Sequence, residues 1–343
     1  MQLKYDLTKL RLNGKRVVCL GLEKALEYTL SSHPFLRDFI DFIIDSDGEQ
    51  VGKALKIFDR SYQVYPIEKL MSLNDSYALL ITTISETYST ELCEALMRVK
   101  ELENIDCYVM HTCYETPVPY ETPKILSGSE MKIPKKIHWC WFSGEELSDE
   151  NKRWIESWSK FCPDYEILLW NAENYDVAKN RYMYDAYKER KWAFASDFAR
   201  LDIVYNNGGI YLDADVEVIK NFDDLLYDDA FFCFDRDLFI DSGSGFGSVK
   251  NNKLILEALE LYNDISFYNK DGSLNLLTSP KIITPIFIKY ELVQENILQM
   301  INGARVYPTD VLSPEDWKTR ELNITNNTHS IHRYQSGWLL KSD

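Results

Sequence analysis

The segment Gly208-Gly209-Ile210-Tyr211-Leu212-Asp213-Ala214-Asp215-Val216-Glu217 sets two aspartates at i and i+2 behind an apolar triplet. The glycine pair ends the preceding segment, and Ile210-Tyr211-Leu212 reads as a buried strand. In extended backbone alternate residues share a face, so Asp213 and Asp215 project together and Ala214 turns away. Two carboxylates at the mouth of a buried strand suit Mg²⁺ or Mn²⁺, hard cations that prefer oxygen ligands. A strand closing in a polar turn would also put aspartate there. The D-x-D pattern alone does not separate the two readings; its neighbours do.

Immediately upstream, residues 192–206 form a helical pattern. Phe194, Phe198, Leu201 and Tyr205 recur on one face, and Val204 widens the stripe. At about 100° per residue Asp197 projects between Leu201 and Val204, inside that stripe. A carboxylate there must be paired or lie in a cleft, because burying it alone is costly. Arg200, three residues on, can pair with it. The other reading has Ser196 capping a helix that begins at Asp197, but position 199 is alanine, so no capping box forms.

Farther out, Lys136 to Phe142 alternates as a strand, with Ile137, Trp139 and Trp141 on one side and His138, Cys140 and Phe142 on the other. Ser143-Gly144 break it. Residues 149–161 form a helix whose Trp154, Ile155, Trp158 and Phe161 are packing residues. Glu166–Trp170 and Ala230–Phe234 are further strands. Asp241-Ser242-Gly243-Ser244-Gly245-Phe246-Gly247 is glycine-rich but holds no G-x-x-x-x-G-K, which excludes that type of phosphate loop.

The chain's 343 residues are enough for two domains. A net charge of −16 argues against a general nucleic-acid or anionic-membrane surface. No apolar run approaches the ~18 residues of a membrane span, and the start lacks a signal-peptide core. Seven cysteines form no C-x-x-C pair, as expected of reduced, buried thiols in a cytosolic protein.

In residues 1–112, apolar runs at 16–21, 39–45, 77–83 and 105–110 alternate with helical patterns such as 91–99, which implies a parallel, Rossmann-like sheet. The first turn, Gly21-Leu22-Glu23-Lys24-Ala25-Leu26, has one glycine where a dinucleotide fingerprint needs three, so a structural or protein-contacting role is expected. Three prolines within Glu115–Pro123 mark a linker over 113–131, leaving 132–343 as the second domain.

Ala195-Ser196-Asp197 with Arg200, Gly208 through Asp215, and Ile133 through Phe142 together resemble the D-x-D glycosyltransferases of family 32. That group includes bacterial capsular polysaccharide enzymes and is related to the large clostridial glucosylating toxins. The resemblance covers about Lys132 to the chain end and implies a GT-A-type α/β catalytic domain. It also implies that Asp213 and Asp215 hold Mn²⁺ or Mg²⁺ and that Asp197 and Arg200, beside Ser196 and Tyr211, hold the donor sugar. Trp141 matches a tryptophan that stacks on uracil, although core packing remains an equal reading. Asn174 matches a donor-contacting asparagine or makes a local Asx turn. Near the C-terminus, His332, Ser336 and Trp338 resemble a closing His…Ser-Trp element, in which His332 would meet the metal or the diphosphate. Two departures stand out: Ser336-Gly337-Trp338 replaces Gly-Ser-Trp, and Thr278-Ser279-Pro280 replaces Thr-Gly-Pro.

The resulting expectation is a retaining, metal-dependent transferase that moves a sugar from a nucleotide-sugar donor, UDP-linked, to a glycan or lipid-linked glycan acceptor in capsular or surface polysaccharide synthesis. Its place would be the cytoplasm, with peripheral association at the inner face of the membrane and its assembly machinery, and with no nucleic acid as partner. A protein-glycosylating effector, a non-catalytic sugar-nucleotide-binding regulator and an oxidoreductase resting on the first domain are the alternatives.

Overall fold

A computed structural model describes residues 1–21, 24–45, 48–82, 86–113, 115–118, 120–121, 129–317 and 320–335. The chain divides into two compact units, Met1–Val118 and Pro119–Asp343. Residues 114, 119 and 122–128 of the expected linker lie outside the described residues, as do Ser336 and Trp338.

The first unit contains strands β1 (Gln2–Lys4), β2 (Arg16–Leu20), β3 (Ile40–Asp45), β4 (Ala54–Ile57), β5 (Arg60–Pro66), β6 (Tyr77–Ile81) and β7 (Asp106–Val109). Helices α1 (Leu7–Asn13), α2 (Lys24–Ser32), α3 (Leu36–Phe39) and α4 (Glu86–Met97) connect them. The sheet order is β1-β7-β6-β2-β3-β5-β4, parallel throughout except for the β4–β5 hairpin at one edge. Val17 and Cys19 pack into one core layer and Val18 and Leu20 into the other, so both faces are covered. A strand buried on both faces reads as a continuous apolar run, which is why β2, β3, β6 and β7 were visible in the sequence.

The second unit contains β8 (Lys136–Cys140), α5 (Asp149–Phe161), β9 (Glu166–Trp170), α6 (Arg181–Lys188), α7 (Trp192–Asn207), β10 (Gly209–Tyr211) and β11 (Val216–Val218). There follow β12 (Ala230–Phe234), β13 (Ile240–Asp241), β14 (Phe246–Ser248), α8 (Lys253–Asp264), α9 (Ser279–Lys289), β15 (Gln299–Ile301), β16 (Ala304–Tyr307) and β17 (Ser330–His332). The main sheet runs β15-β16-β12-β14-β10-β8-β9, with β13 on β12, and β11 pairs with β17 in a separate ribbon. Parallel pairs (β8 with β9 and β10, β12 with β16) are mixed with antiparallel ones (β14 with β10 and β12). Alternation splits the core. Ile137, Trp139, Ile210, Phe231 and Cys233 share one apolar cluster with Trp158 of α5, whereas Cys140, Tyr211, Phe232 and Phe234 pack with residues of α6 to α9.

Helix α5 matches the expected span, and its Ser148 cap accepts from Asn151 N–H. Helix α7 begins at Trp192, so Ser196 lies within it and caps nothing. That outcome removes the reading in which the helix begins at Asp197.

Candidate functional site

The site is built where β10 leaves the sheet. Gly209 has φ +105°, and a Cβ on it would lie 2.9 Å from Lys136 Cβ. Only glycine accepts both the dihedral and the contact. The buried His138 secures the same corner: its Nε2 donates to Gly208 O at 2.9 Å, and its Nδ1 accepts from Trp170 Nε1 at 3.2 Å. Burial holds this imidazole below its usual pKa, which agrees with a neutral ring in a structural role.

The D-x-D segment departs from the expected geometry. Strand β10 ends at Tyr211, and residues 213–216 form a turn closed by Val216 N–H donating to Asp213 O at 3.0 Å. A turn, rather than alternation along a strand, therefore brings the two carboxylates together. Helix α5 satisfies the turn's buried carbonyls: Asn151 Nδ2 donates to Ala214 O at 3.0 Å, and Trp158 Nε1 to Val216 O at 2.8 Å. Trp158 therefore does more than pack, and Asn151 carried no signal in the sequence.

The β11–β17 ribbon delivers the histidine. Val216 stands opposite His332, and Arg333 N–H donates to Asp215 O at 2.9 Å. His332 Nε2 is 3.3 Å from Asp215 Oδ1, and its Nδ1 is 3.4 Å from Asp241 Oδ2. Asp213, Asp215 and His332 each offer one ligand atom, all within 4.8 Å of one another. Asp215 Oδ2 also accepts from Gln335 N–H at 2.8 Å. The donor set fits a divalent cation: two carboxylates suit Mg²⁺ or Mn²⁺, and an imidazole favours the transition metal.

Helix α7 supplies the other half. Arg200 Nη2 lies 3.1 Å from Asp197 Oδ1 and 3.3 Å from Asp213 Oδ1, and Nη1 donates to Ser242 Oγ at 3.3 Å. Ser242 Oγ is 3.0 Å from Ser279 Oγ, so the serine that departs from Thr-Gly-Pro joins this network. Tyr211 is fully buried, donates to Asp213 Oδ1 at 2.9 Å and sits under the Arg200 guanidinium. Its hydroxyl supports the Asp213 carboxylate.

Trp141 is partly exposed, packs at the edge of the core and donates its indole N–H to Glu145 O at 2.7 Å. Asn174 is exposed; its Nδ2 donates to Leu169 O and its Oδ1 accepts from Asn171 N–H. Both ends of that amide hold the loop after β9, as in the Asx-turn reading. The structure thus gathers Asp197, Arg200, Asp213, Asp215 and His332, with Ser196 buried on the same helix.

Burial raises the Asp197 carboxyl to about 7 even against the pull of Arg200. Burial also raises Asp213, although Arg200 opposes it. Burial would raise Asp215 and Asp241 as well, but protonated His332 outweighs it, leaving Asp215 below its usual value and Asp241 at about 2. Four carboxylates (Asp197, Asp213, Asp215 and Asp241) here surround two cationic side chains, Arg200 and His332. That arrangement of acidic groups suits a bound cation.

Residues 148–232 match the family described as the glycosyltransferase sugar-binding region containing the DXD motif. The chain therefore carries a sugar-binding region of the glycosyltransferase class, and Asp197, Arg200, Asp213 and Asp215 fall inside it. Among similar proteins, inositol phosphoceramide mannosyltransferase 3 of Schizosaccharomyces pombe is 34% identical over 117 residues, covering 30% of this chain and 30% of that protein. A mannosyl phosphorylinositol ceramide synthase of Saccharomyces cerevisiae is 26% identical over 206 residues, covering 58% and 50%. The chain thus spans half or less of the length of these relatives. The solved PaToxG glycosyltransferase aligns over 47% of this chain and 70% of its own, at 22% identity and a TM-score of 0.39, too distant to carry an argument.

Proposed function

We propose that the protein is a metal-dependent, retaining glycosyltransferase that moves a sugar from a nucleotide-sugar donor, UDP-linked, to a hydroxyl of a glycan or lipid-linked glycan in surface or capsular polysaccharide synthesis. One observation carries this reading: Arg200 joins Asp197 to Asp213, so a sugar-holding pair and the cation-binding group share one wall. The lipid-linked acceptor draws support from two relatives whose names refer to ceramide. The GT-A-type arrangement and a place at the inner face of the membrane are part of the same proposal. Among the described residues no helix is long and apolar enough to cross a membrane.

In this mechanism Asp213, Asp215 and His332 would hold Mn²⁺ or Mg²⁺, with the imidazole tilting the choice to Mn²⁺. The bound cation would offset the charge that grows on the departing diphosphate. Asp197 and Arg200 would orient the donor sugar, the carboxylate accepting from a hydroxyl and the guanidinium donating to one. The anomeric carbon–phosphate oxygen bond breaks and the acceptor oxygen takes its place on the same face. The acceptor proton passes to the leaving diphosphate. Tyr211, through Asp213, and Gln335 N–H, through Asp215, hold the carboxylates in place.

A thermal-shift panel of nucleotide sugars with Mn²⁺ tests the donor class, since a ligand that binds only the folded state raises apparent stability. A UDP-sugar should raise Tm in the presence of Mn²⁺ and do less in EDTA. A panel in which no nucleotide sugar shifts Tm would contradict the reading.

A further inference from the structure

Asp241 lies outside the D-x-D motif and outside the cation-binding group, yet it is tied to both. It ends β13, is only 8% exposed at its side chain, and its Oδ1 accepts from Gly243 N–H at 2.7 Å. That bond fixes the carboxylate and leaves Oδ2 directed at His332 Nδ1, 3.4 Å away. The two nitrogens of an imidazole point away from each other. Asp215, near Nε2, and Asp241, near Nδ1, therefore lie on opposite sides of the ring. His332 Nδ1 is buried, and among the described residues it has no aligned hydrogen-bond partner. The ring packs against Tyr334, with centroids 4.1 Å apart and planes at 34°.

We propose that Asp241 is a positioning residue: its carboxylate takes the Nδ1–H of His332, so that when a divalent cation displaces the Nε2 proton the ring keeps the tautomer whose Nε2 lone pair faces Asp213 and Asp215. The inference rests on the metal reading given above. The physical reason is general. A ligating histidine needs its second nitrogen held by an acceptor, which sets the tautomer and the ring angle and makes the ligating nitrogen more basic. Hydrogen bonds of this kind are often long in an unliganded site and tighten on binding. Asp241 comes to this position through the pairing of β13 with β12, about ninety residues before His332 in sequence.

The test is calorimetric titration of the full chain with Mn²⁺, paired with pulsed electron paramagnetic resonance that detects nitrogen bound to Mn²⁺. Wild type should bind Mn²⁺ and show nitrogen coupling that disappears in His332→Ala. Asp241→Ala should bind ~10–100-fold more weakly, the usual loss when such a partner is removed, with the nitrogen coupling diminished. In the His332→Ala background, Asp241→Ala should cost nothing further, because its effect passes through the ring. Circular dichroism checks folding, and if Asp241→Ala does not fold, Asp241→Leu, which fills the space but cannot accept a hydrogen bond, is put through the same cycle. A folded variant with wild-type affinity and full nitrogen coupling would overturn the proposal. So would an undiminished loss in the His332→Ala background, which would mean that Asp241 meets the cation directly. Wild-type protein that binds no Mn²⁺ would overturn the metal reading itself, and this inference with it.

Discussion

A Cβ on Gly243 would lie 2.6 Å from Asp213 Oδ2. The same glycine's carbonyl accepts from Asp213 N–H at 3.1 Å, so the loop after β13 and the D-x-D turn are in contact along both main chain and side chain. The side chain of Asp213 is the part that can move. Gly243→Ala should therefore leave the fold intact while pushing a proposed metal ligand out of place. We expect Tm to fall by only a few degrees, consistent with less than about 1–2 kcal/mol in a chain of this size, and Mn²⁺ affinity to fall at least ~10-fold. Unchanged Mn²⁺ binding by calorimetry would show that Asp213 is not required in its present position.

Arg200 is held by Asp197, Asp213 and Ser242 at 3.1–3.3 Å. A lysine ammonium cannot reproduce that planar fork. Arg200→Lys should lower kcat/KM for the donor ~10–100-fold, the scale of losing one strong charge-assisted hydrogen bond. Steady-state kinetics over a range of donor concentration measures it, and near-wild-type kcat/KM would remove Arg200 from the sugar pocket.

Asp197 gives a pH signature of unusual sign. Its folded pKa, raised by burial to about 7, exceeds the unfolded value near 3.8, so the folded state binds the proton more tightly. The stability this proton confers is complete below the unfolded pKa and is lost as pH rises through the folded one. Asp197→Asn should therefore gain Tm relative to wild type between pH 4 and 7, with the difference flat above about 8. Thermal unfolding of both proteins across that range decides it; a difference that stays constant or shrinks would contradict the raised pKa.

His329 gives the opposite case. It is 1% exposed, stacks on Phe222, donates from Nδ1 to Asn221 O at 2.5 Å, and is pushed by burial down to about 4. The neutral ring fits the fold, so its contribution is lost as pH falls from about 6.5, the ordinary histidine value, toward 4. In a histidine nuclear magnetic resonance titration His329 should remain neutral at pH 5.5. Titration near 6.5 would contradict its burial. Because the ring is buried against Phe222, His329→Ala should also open a cavity and lower Tm.

Much of the second unit was legible in the sequence, because its strands and helices carry apolar periodicity. Helix α5, β9 and β12 fall at the expected positions, and Asp197 was marked by its place inside the apolar stripe of α7. What escaped has physical causes. Strand β1 has three residues and β4 is mostly exposed, so neither shows a pattern. Residues 241–247 are mostly serine and glycine and read as loop, yet they hold the end of β13 and most of β14, strands whose pairing with β12 nothing local announces. Asp241 and Ser279 act across 91 and 37 residues, on His332 and Ser242, and nothing local announces such partners. The D-x-D spacing pointed to two carboxylates that do lie close together, but a turn rather than a strand brings them there.

If Asp213 and Asp215 hold a cation on which sugar transfer depends, turnover must need that cation and both carboxylates. The most direct test is mass-spectrometric measurement of UDP-sugar consumption by wild type, Asp213→Asn and Asp215→Asn, each with Mn²⁺ and after exhaustive EDTA treatment. Wild-type turnover should be abolished by EDTA and restored by Mn²⁺, and the folded variants should be slower by at least ~10²-fold, the scale of one lost electrostatic stabiliser. Wild-type turnover that survives EDTA, or equal turnover by both variants, would contradict it.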